Sequence, residues 1–351
     1  MQDLAIKLSM LLVFFAIMVG IGLYCRRHAT DVSGFVLGGR SVGPWLTAFA
    51  YGTSYFSAVV FVGYAGQFGW KYGIAATWAG LGNAFLGSLL AWAVLGRRTR
   101  VMTQHLDSAT MPEFFGKRFE SRPLKLAASV IIFIFLIPYT ASLYNGLSRL
   151  FGMAFDIDYS VCVVVMAVLT GVYVIAGGYM ATAINDFVQG IIMIVGIIAV
   201  IAAVLNTQGG FMAALEGLAR VSDPAVSDAP GVFASFFGPD PAGLLGVVLL
   251  TSLGTWGLPQ MVQKFYAIKS EKSINTGMVI STVFAVIVSG GCYFLGGFGR
   301  LYSGQVDVAA DGYDAIIPTM LSDLSTVLIA IVVILVLSAS MSTLSSLVLA
   351  S

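Results

Sequence analysis

The chain has 351 residues, of which 58% are hydrophobic and only 10% charged, and its formal net charge is +1. A soluble domain carries roughly 25% charged residues, so this is the composition of an integral membrane protein, and the small net charge argues against nucleic acid as a partner. The apolar runs are much longer than barrel strands of about ten residues and do not alternate, so they are helices.

Nine spanning segments are predicted within a single transmembrane domain, 1–351. They cover roughly 4–24, 43–66, 73–96, 124–152, 158–177, 182–206, 240–263, 274–300 and 321–350. The first is not a signal peptide. It has only Lys7 against Asp3 ahead of it, and Arg26 and Arg27 follow it where a cleavage site would need small residues.

The second segment, "GPWLTAFAYGTSYFSAVVFVGYAG", is interrupted near its middle by Gly, Ser and Thr. The seventh, "GLLGVVLLTSLGTWGLPQMVQKF", is interrupted by Gly and Pro. Unwound turns expose backbone carbonyls that hold cations and N–H groups that hold anions. A pair of broken helices at matching positions of two halves is how transporters line a midplane site. A plain Gly or Pro kink is the competing reading of each segment alone.

Between them, the loop stretch "MPEFFGKRF" is amphipathic and basic, as befits a helix lying at the membrane surface. In the fourth segment Pro138 is expected to kink the helix, with Tyr139, Ser142 and Asn145 serving packing or interface roles. In the sixth, Asp186 falls in the first turns. A carboxylate there either binds a cation, carries a proton or pairs with a base, or else caps the helix beside Asn185.

The ninth segment ends "SASMSTLSSLVLAS", in which half of the residues bear a hydroxyl. Ala339, Ser342, Thr343 and Ser346 recur at i, i+3, i+4 and i+7 and share one helix face, with Ser345 at its edge. Sodium takes hard oxygen ligands, which such a face supplies. Close packing through small residues is the alternative.

Most of the 18 Lys and Arg fall in loops on one side: Arg26, Arg27 and Arg40; Arg97 through Lys125; and Lys264, Lys269 and Lys272. These loops are expected to be cytoplasmic in a cell membrane, with the N-terminus outside. Cys25, Cys162 and Cys292 have no metal or redox spacing and are assigned to packing. There is no HExxH, GxSxG or phosphate-loop motif, so an enzyme is not expected.

In the stretches "GGRSVGPWLTAFAYGTSYFSA", "TMPEFFGKRF", "YVIAGGYMATAINDFVQG", "GLPQMVQKFYAIKS" and "SASMSTLSSLVLAS", the sequence resembles the sodium:solute symporters. That family includes carriers of proline, pantothenate, sugars and sialic acid. The resemblance implies an all-α membrane fold of two inverted five-helix repeats preceded by one extra helix. The second repeat would be incomplete in this chain, as the lack of a polar flank after Ser351 also implies. It implies sodium-coupled import of a small organic solute (amino acid, carboxylate or sugar), with Na+ the co-transported ion and no organic cofactor. A solute-sensing domain of a signalling protein and a proton-coupled symporter are the alternatives.

Carried over by position, the main sodium site would use the carbonyls of Thr53, Phe56 and Ala339 and the hydroxyls of Ser342 and Thr343. In some relatives a second sodium sits lower, and here it would lie between Asp186, Ser345 and Ser346. The solute would sit near Tyr55, Ser57, Ala58, Thr255, Trp256 and Gln260. In one departure, proline-carrying relatives have an acid where this sequence has Tyr55, which leaves the solute open.

Overall fold

The computed structural model describes residues 2–26, 31–155 and 158–351. Arg27 and His28, and the side chains of Asn145, Arg149 and Cys162, lie outside the described residues. No β-strand forms among the described residues, and six helices are long and apolar enough to cross a membrane.

The chain begins with α1 (Gln2–Cys25) and a short α2 (Val32–Leu37), capped by Asp31 Oδ1 accepting from the Gly34 N–H at 3.2 Å. Helix α3 (Pro44–Tyr55) starts on Pro44, whose missing N–H costs nothing in a first turn. It stops at 56–57, and the path resumes through Ala58 as a π-helical turn, Val59–Tyr64, that runs into α4 (Ala65–Tyr72). Next come α5 (Thr77–Gly82), two further π-helical stretches, and α6 (Arg97–His105). The surface helix α7 (Met111–Arg118) is capped by Thr110 and by Glu113, whose carboxylate accepts from the Ala109 N–H at 2.9 Å.

Helix α8 (Arg122–Phe155) runs unbroken through Pro138. Helix α9 (Tyr159–Thr207) has 49 residues, about 74 Å if straight and far beyond a hydrocarbon core of roughly 30 Å. Gly178 resolves this, because at φ 55°, ψ −148° it turns the chain sharply and divides α9 into two legs. The remaining helices are α10 (Phe211–Ala219), α11 (Pro241–Leu253), α12 (Pro259–Ala267), α13 (Lys272–Gly296), α14 (Val308–Asp311), α15 (Ile316–Leu321) and α16 (Thr326–Ala350).

Helix α13 is the central post, packed on α3, α4, α5 and α9. Against α4 the backbones touch: a β-carbon on Gly69 would run into the Gly296 carbonyl oxygen. Helix α16 packs across α9, α8, α1, α3 and α12, so its hydroxyl face is enclosed on several sides.

The stretches around Arg40, 97–108 and 266–271 are bonded to one another. The Arg40 guanidinium donates to the carbonyls of Ser108 (2.7 Å), Thr103 and Tyr266 (both 3.2 Å). Arg100 donates to Ile268 O at 2.6 Å, and Arg97 pairs with Glu271 at 2.6 Å. Elsewhere Arg300 donates to the Trp70 carbonyl at 2.6 Å and to Asp223 Oδ2 at 2.7 Å.

Candidate functional site

The two interruptions face each other. A cavity of 360 Å³ lies between them, lined by Tyr55 at the end of α3 and Ser57 in its break, and by Thr251 of α11 with Thr255 and Leu258 of the α11–α12 break. That volume is at the lower end of ligand pockets, roughly 300–1,000 Å³. The α11–α12 break spans 254–258, where Gly254 and Pro259 punctuate the helix.

The polar groups are held by one another. The Tyr55 hydroxyl donates to the Thr251 carbonyl at 2.8 Å and approaches Asn83 Oδ1 at 3.3 Å. Asn83 also accepts from Ser252 at 3.2 Å and donates to Ser289 at 3.3 Å. Each partner fixes the orientation of another, so the cavity wall is held in shape by its own hydrogen bonds. No charged side chain lines the cavity among the described residues.

Of the six residues predicted to hold solute, Tyr55, Ser57 and Thr255 line the cavity. Gln260 is fully buried and bonded at neither amide atom, while Ala58 and Trp256 do not line the cavity. The Trp256 indole instead donates to the Leu86 carbonyl at 3.0 Å. Sequence reasoning missed Asn83, Tyr293 and Thr251, and it set Tyr139 and Ser142 aside as packing residues. Both of these line the cavity. The polar face of α8 around Pro138 was the available signal.

The α3 break has a second consequence. The Thr53 and Phe56 carbonyls are not taken up by the next turn, since the Phe56 N–H bonds Gly52 O and the Val60 and Phe61 N–H groups both bond Ser57 O. On the facing α16, Ala339, Ser342 and Thr343 are buried. Thr343 donates to the Ala339 carbonyl at 2.9 Å, and the Ser342 hydroxyl has no hydrogen-bond partner. One turn further on, the hydroxyls of Ser54 and Ser346 are 2.8 Å apart and join α3 to α16.

Asp186 is not a helix cap. It lies two turns beyond Gly178, fully buried, and neither carboxylate oxygen accepts a hydrogen bond. Its Oδ2 is 3.8 Å from Lys264 Nζ, and it faces Ser342. Counting Lys264 among loop bases was mistaken. It lies in α12, is only 1% exposed, and donates to Ser346 Oγ at 2.9 Å. Ser345 turns away to the Ser342 carbonyl at 2.9 Å.

A model of the sodium:solute symporter family matches residues 35–351. The chain belongs to that family. It is a family of transporters and not of enzymes, and Na+ is its coupling ion. The osmoregulated proline transporter of Bacillus subtilis is 30% identical over 302 residues, covering 85% of this chain and 59% of that protein. The sodium/proline symporter of Staphylococcus aureus is 34% identical over 272 residues, covering 76% of this chain and 50% of that protein. The chain thus spans between half and three-fifths of the length of these relatives. Among solved structures, a Na+-coupled sialic acid symporter in a substrate-bound outward-open state superposes with a TM-score of 0.79. At 16% identity it covers 97% of this chain and 71% of that one, a likeness of fold.

Proposed function

We propose that this chain forms the solute- and sodium-binding part of a symporter that imports a small organic solute of no net charge. The observation that carries this reading is the 360 Å³ cavity between two broken helices, with polar neutral and aromatic walls. A solute with unbalanced charge would be buried there without a counter-charge, at a cost of several kcal/mol. A zwitterionic amino acid or a sugar meets hydroxyls, the Asn83 amide and ring faces. Proline carriage by the relatives fits the size of the cavity; Tyr55 in place of an acid argues for a different solute.

In this reading sodium binds at the carbonyls of Thr53, Phe56 and Ala339 and the hydroxyls of Ser342 and Thr343. Free carbonyls at the α3 break and the unpartnered Ser342 hydroxyl support the placement. The ion would join α3 to α16 and so favour the conformer that holds the solute. Inward movement of one charge across 100 mV releases about 2.3 kcal/mol, enough for more than tenfold accumulation. The basic end carrying Arg40, Arg97 and Arg100 faces the cytoplasm, and the N-terminus faces out.

The test is uptake by the intact protein in proteoliposomes, with an inward sodium or potassium gradient and a panel of amino acids, sugars and carboxylates. Accumulation of an uncharged or zwitterionic solute that collapses with a sodium ionophore is expected. Uptake that follows a pH gradient and ignores sodium overturns the reading.

A further inference from the structure

A buried cation already stands where the sequence leads one to expect a second sodium. Lys264 Nζ is 2.9 Å from Ser346 Oγ and 3.8 Å from Asp186 Oδ2, and it lies 5.2 Å from the centre of the Tyr179 ring. Lys264 is 1% and Asp186 0% exposed. The ammonium therefore has an anion, a hydroxyl and an aromatic face around it and is shut off from bulk solvent. Ser346 in turn is bonded to Ser54 on the broken helix α3.

Two of the three groups expected to hold a second sodium thus already face the Lys264 ammonium. The third, Ser345, points its hydroxyl at the Ser342 carbonyl. A sodium ion among these groups would meet a like charge a few ångströms away, with a single carboxylate to offset both. Because the ammonium is covalently tethered, it cannot leave with the solute.

We propose that the Lys264 ammonium is a built-in cation occupying the second cation position between Asp186 and Ser346, and that this residue limits the protein to one sodium per chain. The inference rests on the sodium-symport reading above. In consequence α12, α9, α16 and α3 are joined through a charge that does not exchange. Only the ion at the α3 break comes and goes in each cycle.

The test counts sodium directly, with no solute needed. Radioactive sodium is bound to the purified intact protein in detergent and titrated to saturation. One sodium per chain is expected for the wild type. K264M removes the charge, keeps an unbranched apolar stem, and leaves Asp186 free to hold an ion, so two are expected. K264M/D186N should return to one, and K264R should stay at one. Two sodium ions in the wild type overturn the inference. So does a single one in K264M that retains wild-type affinity at its remaining site. Should K264M fail to fold, K264Q, which drops the charge but keeps a donor for Ser346, takes its place: two sodium ions are expected, and one at wild-type affinity overturns the inference. No sodium bound by the wild type overturns the symport reading itself, and this inference with it.

Discussion

The hydroxyls of Ser54 on α3 and Ser346 on α16 lie 2.8 Å apart, and Lys264 Nζ reaches the same Ser346 oxygen at 2.9 Å. This contact holds the broken helix against the hydroxyl-rich one, a turn away from the unpaired Ser342. A site needing ligands from both helices depends on that registration.

Removing a hydroxyl from the proposed main sodium site should weaken sodium binding without unfolding the protein. For Ser342→Ala or Thr343→Ala a loss of about 1–3 kcal/mol is expected, the scale of a lost buried polar partner. The half-saturating sodium concentration for uptake should rise from severalfold to about a hundredfold. Sodium activation unchanged in both variants would displace the site.

Asp186→Asn should act first on stability. It leaves the Lys264 ammonium buried with no anion, and breaking a buried pair costs about 3–5 kcal/mol. The melting temperature in detergent should drop markedly, and Asp186→Asn/Lys264→Met should recover much of the loss. Equal melting temperatures for wild type and Asp186→Asn would show that the pair contributes nothing.

Tyr55→Phe takes the hydroxyl away from the Thr251 carbonyl and from Asn83. A rise of severalfold in half-saturating solute is expected, about 1 kcal/mol, with the maximal rate nearly preserved. Unaltered solute affinity would place the solute away from this wall.

The hydrogen bond from Arg300 holds the Asp223 carboxyl below its usual range, against a smaller opposing effect of desolvation. A carboxyl lowered by folding stabilises the protein at pH values above its unfolded pKa of about 3.9. That contribution disappears as pH falls through the lower, folded value. Thermal stability of the wild type should therefore fall more steeply than that of Asp223→Asn below about pH 4. Parallel curves would show that the pair carries no pH dependence.

Gly69→Ala should prevent correct assembly of α4 on α13. Its β-carbon would collide with the Gly296 carbonyl oxygen, a backbone atom with no way to yield. Overpacking of this kind costs about 1–3 kcal/mol or more, visible as lost expression of folded protein. Normal expression and melting would mean that the two helices are further apart.

What the sequence determined by itself was local. The apolar runs, the interruption of the second and seventh segments near their middles, and the hydroxyl face of α16 all follow from side-chain type and helical period, which need no partner to be read. The family resemblance lies in the same local motifs. Tertiary packing decided the rest. Lys264 reads as a loop cation because the seventh apolar segment ends at 263 and Lys269 and Lys272 follow, and only α9 and α16 closing over it make it a buried charge. The depth of Asp186 depends on where the second leg of α9 starts, which the backbone at Gly178 sets and an apolar window does not register. Asn83, Tyr139 and Tyr293 come from three separate parts of the chain and meet only around the cavity. Nothing in a one-dimensional pattern places them there, because convergence on a site is a property of how the helices pack against one another.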